Sequence, residues 1–326
     1  MESTAGDGLS VNANDNLQLI ALSKSLRHEG VLLFMEMKRD LNRFIDELFS
    51  AAYQEVECDE EYQASFTDEG SRKVQYIVDD LRERESNGQL VTGLLGYLCI
   101  GGADGSEVKH VLTDTDISKA VMVEFSDEAV KLAAMVLEDF SKKGKTVEVI
   151  HGDATRRLDD ALLLLERWCQ DREISGLVCS AQGVLHELPL RSPGFDIATF
   201  LGKIFRSPLW LAGTFYAREP CLPIGWPEIV RIRIADLDSR RLVRFAKFVR
   251  DRLGMVGSPE RLAANWVRLP SPLAVETLHK LIRKGSVGRI GYELGEQLTS
   301  FDPIAVKRHL QSYFPSMEVE VDYVTT

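Results

Sequence analysis

From Gln89 onward, short apolar runs alternate with stretches of helical periodicity, and this alternation constrains the fold more than any other feature of the chain. Strands separated by helices pair in parallel, because a parallel pair needs a long crossover, and such crossovers are wound right-handed. The predicted strands are Leu94 to Ile100, Ala120 to Phe125, Thr146 to Ile150, Gly176 to Ser180 and Leu209 to Phe215. The clearest helix runs from Asp127 to Lys142: Ser126 caps it, Asp127 and Glu128 complement its dipole, Val130, Ala133, Ala134 and Leu137 share one face, and Gly144 follows its end. Near the C-terminus a strand at 290–298, a helix at 303–313 and a last strand at 317–324 are expected. In the last, Met317, Val319, Val321 and Tyr323 alternate with acids, the mark of a half-exposed strand.

Residues 1–15 are small and polar and are expected to form a flexible tail. Across 16–88 the apolar residues recur at helical spacing, as in Leu32, Met35, Leu41, Phe44, Ile45, Leu48 and Phe49, and predict an N-terminal helical region ended by Asn87-Gly88. The region 89–326 then forms one domain, with an insertion at about 217–288 before the last two strands. Within that insertion Leu242, Phe245, Ala246, Val249 and Leu253 share one face of a helix over 239–254.

The net charge of -11 is uneven: residues 1–90 hold 19 acids and 9 bases, whereas 231–252 holds eight bases and three acids. The basic segment is either a helix face in water, a surface docked on the acidic N-terminal region, or a site for an anionic partner. Apolar runs are far shorter than the roughly 20 residues that cross a bilayer. Five cysteines without C-x-x-C pairing argue for a reducing compartment and against structural zinc; a cytoplasmic protein without membrane or metal is expected.

The first strand runs into Gly101-Gly102-Ala103-Asp104-Gly105, small residues that let the backbone approach a ligand closely at a helix N-terminus. A dinucleotide fingerprint fails on spacing, since Ala103 and Ser106 stand where glycine is required. Glu124 ends the second strand, where an acid can accept hydrogen bonds from ribose hydroxyls, and Gly152-Asp153-Ala154 follows the third. The fourth leads to Ser180-Ala181-Gln182-Gly183-Val184-Leu185-His186.

This ordered set resembles the class I S-adenosylmethionine-dependent methyltransferase superfamily over roughly 94–215. Gly101, Ala103 and Gly105 fall on its three glycine positions, with Ala in place of the middle one, and Cys99 stands where the family has an acid. The resemblance implies a doubly wound, mostly parallel seven-stranded sheet of the methyltransferase-like Rossmann type. It further implies S-adenosylmethionine as cofactor, held by Gly101, Gly102, Ala103, Gly105, Glu124, Asp153, Ala154, Ser180, Ala181 and Gln182. His186 and Tyr216 are then the candidates for catalysis, and Arg218 and Trp226 for contacts to the acceptor. Each has a plainer reading: a tight turn at the glycines, an exposed acid at Glu124, a helix cap at Asp153, a structural histidine, loop anchors. A small-molecule or protein acceptor suits an acidic chain. The alternatives are an inactive cofactor-binding scaffold that docks a partner, or a homodimer mate, through the N-terminal region, and an RNA methyltransferase using residues 231–252.

Overall fold

The computed structural model describes residues 10–13, 17–22, 31–37, 40–51, 70–188, 195–209, 213–219 and 228–282, with a few single positions between 294 and 312. In chain order the strands are β1 (Ser10–Ala13), β2 (Leu17–Leu22), β3 (Val31–Met37), β4 (Leu95–Ile100), β5 (Lys119–Glu124), β6 (Thr146–His151), β7 (Gly176–Gln182), β8 (Thr214–Arg218), β9 (Ile229–Ile234), β10 (Glu260–Arg261) and β11 (Val267–Pro270). The helices are α1 (Leu41–Ala51), α2 (Gly70–Ser86), α3 (Ser106–Asp114), α4 (Asp127–Lys142), α5 (Ala154–Gln170), α6 (Ile197–Arg206), α7 (Ser239–Leu253) and α8 (Ser271–Ile282). No described helix is long and apolar enough to cross a membrane. The chain divides into two compact units, residues 59–220 with 301–326 and residues 1–58 with 221–300.

The first unit carries a five-stranded sheet in the order β6-β5-β4-β7-β8, parallel throughout. Alternate residues of its strands feed two cores. Leu98, Ile100, Val121, Val123, Leu177 and Cys179 pack with Leu158, Ala161, Leu165, Phe200 and Ile204 of α5 and α6. Tyr97, Cys99, Ala120, Met122 and Val178 pack with Ile77, Leu81, Val108, Val111, Ala133 and Leu137 of α2, α3 and α4. Every residue of β4 is buried, as a central parallel strand covered on both faces requires. The doubly wound parallel architecture is therefore present. Of the strand expected at 290–298 only residues 294 and 297 are described, neither of them in a strand, and the one expected at 317–324 lies outside the described residues.

Three expectations shift. The fifth strand is Thr214–Arg218 rather than 209–215; the apolar Leu209 instead packs into the core in the turn after α6, and a short apolar run does not by itself distinguish strand from turn. The N-terminal region is not helical throughout, and the tail is not wholly unpaired. Residues 10–13, 17–22 and 31–37 are strands, and only α1 and α2 are helices. The run Val31 to Met35 is apolar without a polar helical face, which suits a strand flanked on both sides. β3 indeed pairs antiparallel with β2 and parallel with β9.

Accordingly, the segment after residue 220 is not a simple insertion: it forms the second unit together with the N-terminal segment. Its sheet runs β1-β2-β3-β9-β11-β10. Val31 lies opposite Val230, a pairing between distant parts of the chain that local periodicity does not reveal. Phe44, Ile45 and Leu48 of α1 and Leu242, Phe245 and Val249 of α7 close its core with Ile232 and Leu269.

Candidate functional site

The predicted cofactor residues lie at the C-terminal ends of four adjacent strands. β4 runs into Gly101, whose φ of 71° and N–H to the Val123 carbonyl (2.8 Å) bend the chain across the sheet edge. A Cβ there would lie 2.7 Å from Val184, and one on Gly102 would lie 2.8 Å from both the Cys99 and Met122 sulfurs. Both positions therefore exclude side chains. Ala103, the middle small residue of the turn, has the left-handed backbone that a glycine would adopt, with φ of 47°.

Glu124 ties this turn to its neighbours. Its Oε2 accepts the Ala103 N–H and its Oε1 the Ser126 N–H, both at 2.9 Å, while its carbonyl accepts the Gly152 N–H at 2.8 Å. A carboxylate has about four lone-pair sites, so two further donors fit. Asp153 caps α5 through the Thr155 N–H (2.8 Å), and Ala154 is buried as its first residue. Beside this cap Thr155 Oγ1 is buried with no hydrogen-bond partner among the described residues.

Sequence reasoning missed Glu107. It is buried in the first turn of α3, and its Oε1 accepts from the Tyr97 hydroxyl at 2.6 Å and from the Ser180 hydroxyl. Ser180 stands opposite Cys99 in the β4–β7 register. Burial first, and then the Glu107 charge, pushes the Cys99 thiol well above its ordinary range, and burial and Glu107 do the same to Tyr97. The signal was available: Glu107 shares the helical stripe of Val108, Val111 and Leu112, where an apolar residue is expected.

The loop after β7 hangs on a second missed carboxylate. Glu219, whose side chain is fully buried, accepts the N–H groups of Val184 (2.7 Å) and Leu185 (2.8 Å) on one oxygen and His186 Nδ1 (2.7 Å) on the other. The carboxylate can only accept, so Nδ1 carries the hydrogen. Gly183 N–H donates to the Arg218 carbonyl (2.9 Å), completing the clamp that seats Val184 against Gly101.

The remaining predicted residues scatter. Ala181 points into the core and Gln182 bonds the Tyr76 hydroxyl of α2. Burial, the largest influence, pushes the Tyr76 phenol up to about 12. Tyr216 is expected as a catalyst, but its hydroxyl donates to Asp80 of α2 and its ring meets Tyr76 edge-on at 6.0 Å. Burial followed by the Asp80 bond raises its phenol strongly, which keeps it neutral and committed to packing α2 on the sheet. Arg218 is exposed, and Trp226 lies outside the described residues. In the second unit, much of the basic segment is already used: Arg241 pairs with Asp46 at 2.8 Å, Arg250 with Asp251, and Arg244 lies 4.9 Å over the Phe49 ring.

A parallel, doubly wound sheet with a glycine turn and carboxylates gathered at the C-terminal ends of its strands is an open α/β architecture, in which the crevice beyond those strand ends is where ligands bind. No protein-family model and no curated protein matches the chain. Solved structures similar to it include an S-adenosylmethionine-dependent methyltransferase from Thiobacillus denitrificans in complex with S-adenosyl-L-homocysteine (15% identity, 54% of this chain and 55% of that chain, TM-score 0.29). Another is the plantazolicin methyltransferase BpumL in complex with a triazolic analogue and S-adenosyl-L-homocysteine (10% identity, 85% and 78%, TM-score 0.37). A third is an S-adenosylmethionine-dependent methyltransferase from Leishmania major (14% identity, 61% and 69%, TM-score 0.30). The chain thus spans about half the length of the first of these. Likenesses this distant transfer no residue roles, which rest on this chain's own geometry.

Proposed function

We propose that the parallel-sheet unit binds S-adenosylmethionine at the C-terminal ends of β4, β5, β6 and β7 and that the chain transfers its methyl group to a small-molecule or protein acceptor. The observation that carries this reading is the convergence of the glycine turn, Glu124 and Gly152-Asp153 through hydrogen bonds at one sheet edge. The chemistry of the donor set fits the group. Glu124 keeps acceptor capacity for ribose hydroxyls, and Asp153 with the orphaned Thr155 hydroxyl offers a polar edge for adenine. Glu107 places a carboxylate beside Cys99, supplying from α3 the negative charge that the family motif would have on β4.

When bound, the cofactor supplies an electrophilic methyl on a sulfonium, so the protein has chiefly to position and desolvate the acceptor. His186, its Nδ1 held by Glu219, is the residue to which we assign the proton taken from the acceptor. The commitment of Arg241, Arg244 and Arg250 within their own unit supports a small-molecule or protein acceptor over RNA.

Isothermal titration of the full chain with S-adenosylmethionine and its demethylated product tests the reading. Binding is expected for both, and absence of heat with either, in folded protein, removes it. Glu107→Gln is expected to weaken the cofactor roughly tenfold while leaving adenosine, which lacks the methionine moiety and its ammonium group, nearly unchanged. Equal losses for both would refute the role given to Glu107.

A further inference from the structure

We propose that the cleft at the C-terminal end of β9 in the second unit binds the phosphate group of a small phosphorylated molecule, held by Arg240 and Arg261. The cleft measures about 630 Å³ and is lined in part by Arg233, Asp236, Asp238, Arg240, Arg261 and Asn265. That volume suits a metabolite-sized ligand rather than a single ion.

Acids outside the lining are paired with other bases, and of the two that line the cleft, Asp236 and Asp238, the second is engaged by a backbone N–H. Glu260 pairs with Arg268, Asp251 with Arg250 and Asp46 with Arg241. Asp238 caps α7 by accepting the Arg240 backbone N–H at 2.8 Å, so the helix N-terminus already has its anion, and it is the guanidinium groups that call for another. Among the described residues neither Arg240 nor Arg261 pairs with a carboxylate. Arg261 is held in place by its Nε bond to the buried Ser239 hydroxyl (2.9 Å), and the turn beneath by Asn42 Nδ2 on the Asp236 carbonyl (2.9 Å). The lining thus gathers the guanidinium groups of Arg240 and Arg261 on a supported backbone, with the Asp238 carboxylate already engaged at the start of α7.

The choice of phosphate follows from the number of forks. One arginine already satisfies a carboxylate bidentately, whereas two arginines from separate elements, the first turn of α7 and β10, match the several oxygens of a phosphate monoester. This inference is independent of the methyltransferase reading and involves no residue of that site.

The test uses the full chain and probes without an adenosyl group: ribose 5-phosphate, inorganic phosphate and ribose, followed by calorimetry at low and high salt. Ribose 5-phosphate is expected to bind, more weakly as salt rises, and ribose not to bind. Arg240→Gln with Arg261→Gln is expected to weaken it at least roughly tenfold while the protein stays folded, with a thermal midpoint lowered only by loss of the Ser239 bond, and S-adenosylmethionine binding stays unchanged. No binding at about 10 mM, or equal binding by the double variant, overturns the proposal. A single-stranded RNA that binds more tightly than the sugar phosphate, and loses affinity in the same variant, overturns the small-molecule assignment in favour of a nucleic-acid backbone.

Discussion

The Glu124 carboxylate at the end of β5 accepts the Ala103 backbone N–H of the glycine turn at 2.9 Å. One residue therefore both shapes the turn and stands where ribose is proposed to bind. Glu124→Ala is expected to weaken S-adenosylmethionine by roughly 1–3 kcal/mol and also to destabilise the fold by a similar amount, because the Ala103 and Ser126 donors lose their acceptor. Glu124→Gln, which keeps one carbonyl oxygen, should recover part of both. Calorimetry and urea unfolding on the same samples check this; full affinity in the alanine variant would mean that the ribose lies elsewhere.

Ala103 holds φ at 47°, a conformation that costs an L-residue about 1–2 kcal/mol. Ala103→Gly removes that strain and returns about 0.4–1 kcal/mol of entropy to the unfolded chain, so the strain term wins. A rise of about 0.5–1 kcal/mol in unfolding free energy is expected, read as a higher urea midpoint at unchanged slope. A lower midpoint would show that the turn is not strained.

Glu219 satisfies three donors while fully buried. Truncating it to Ala is expected to cost about 3–5 kcal/mol, the penalty of stranding buried partners. Glu219→Gln, a milder change, should fold yet misorient His186. Once an acceptor is known, this variant and His186→Ala should slow methyl transfer roughly 10²-fold or more with cofactor affinity little changed. Unaltered rates would reduce the pair to a loop clamp.

Burial, with the Glu107 charge behind it, raises the Cys99 and Cys179 thiols above 9.0 and the Tyr97 phenol above 10.0, and burial takes Tyr76 to about 12. A raised folded value means that the unfolded chain loses these protons first. Their contribution is complete below about pH 9 and is lost as pH climbs through the folded values. Stability is therefore expected to hold between neutral pH and about pH 8 and to decline above about pH 9. A thiol reagent near pH 8 should modify Cys99 and Cys179 only on unfolding; rapid labelling of the folded protein would show that these strands open.

Much of the parallel-sheet unit was legible in local pattern. The helix Asp127–Lys142, with its Ser126 cap, and the strands β4 to β7 follow from apolar periodicity, because each buries a face whose spacing the backbone dictates. The turn at Gly101 and the acid at Glu124 were legible too, since glycine there answers a local steric demand and the acid closes a strand. Glu107 and Glu219 were not assigned. Their importance comes from which hydroxyls and N–H groups the fold brings to them, Ser180 and Tyr97 in one case, Val184, Leu185 and His186 in the other.

What the sequence by itself determined is the set of short-range choices: helix caps, strand runs, glycine turns and the order of crossovers that make the sheet parallel. What only the tertiary structure decided is long-range pairing. The apolar run at Val31 became a strand because Val230 lies across from it, and Tyr216 became a packing residue because Asp80 reaches its hydroxyl. A hydrogen bond between distant segments depends on where the rest of the chain places its partner, and no local period encodes that.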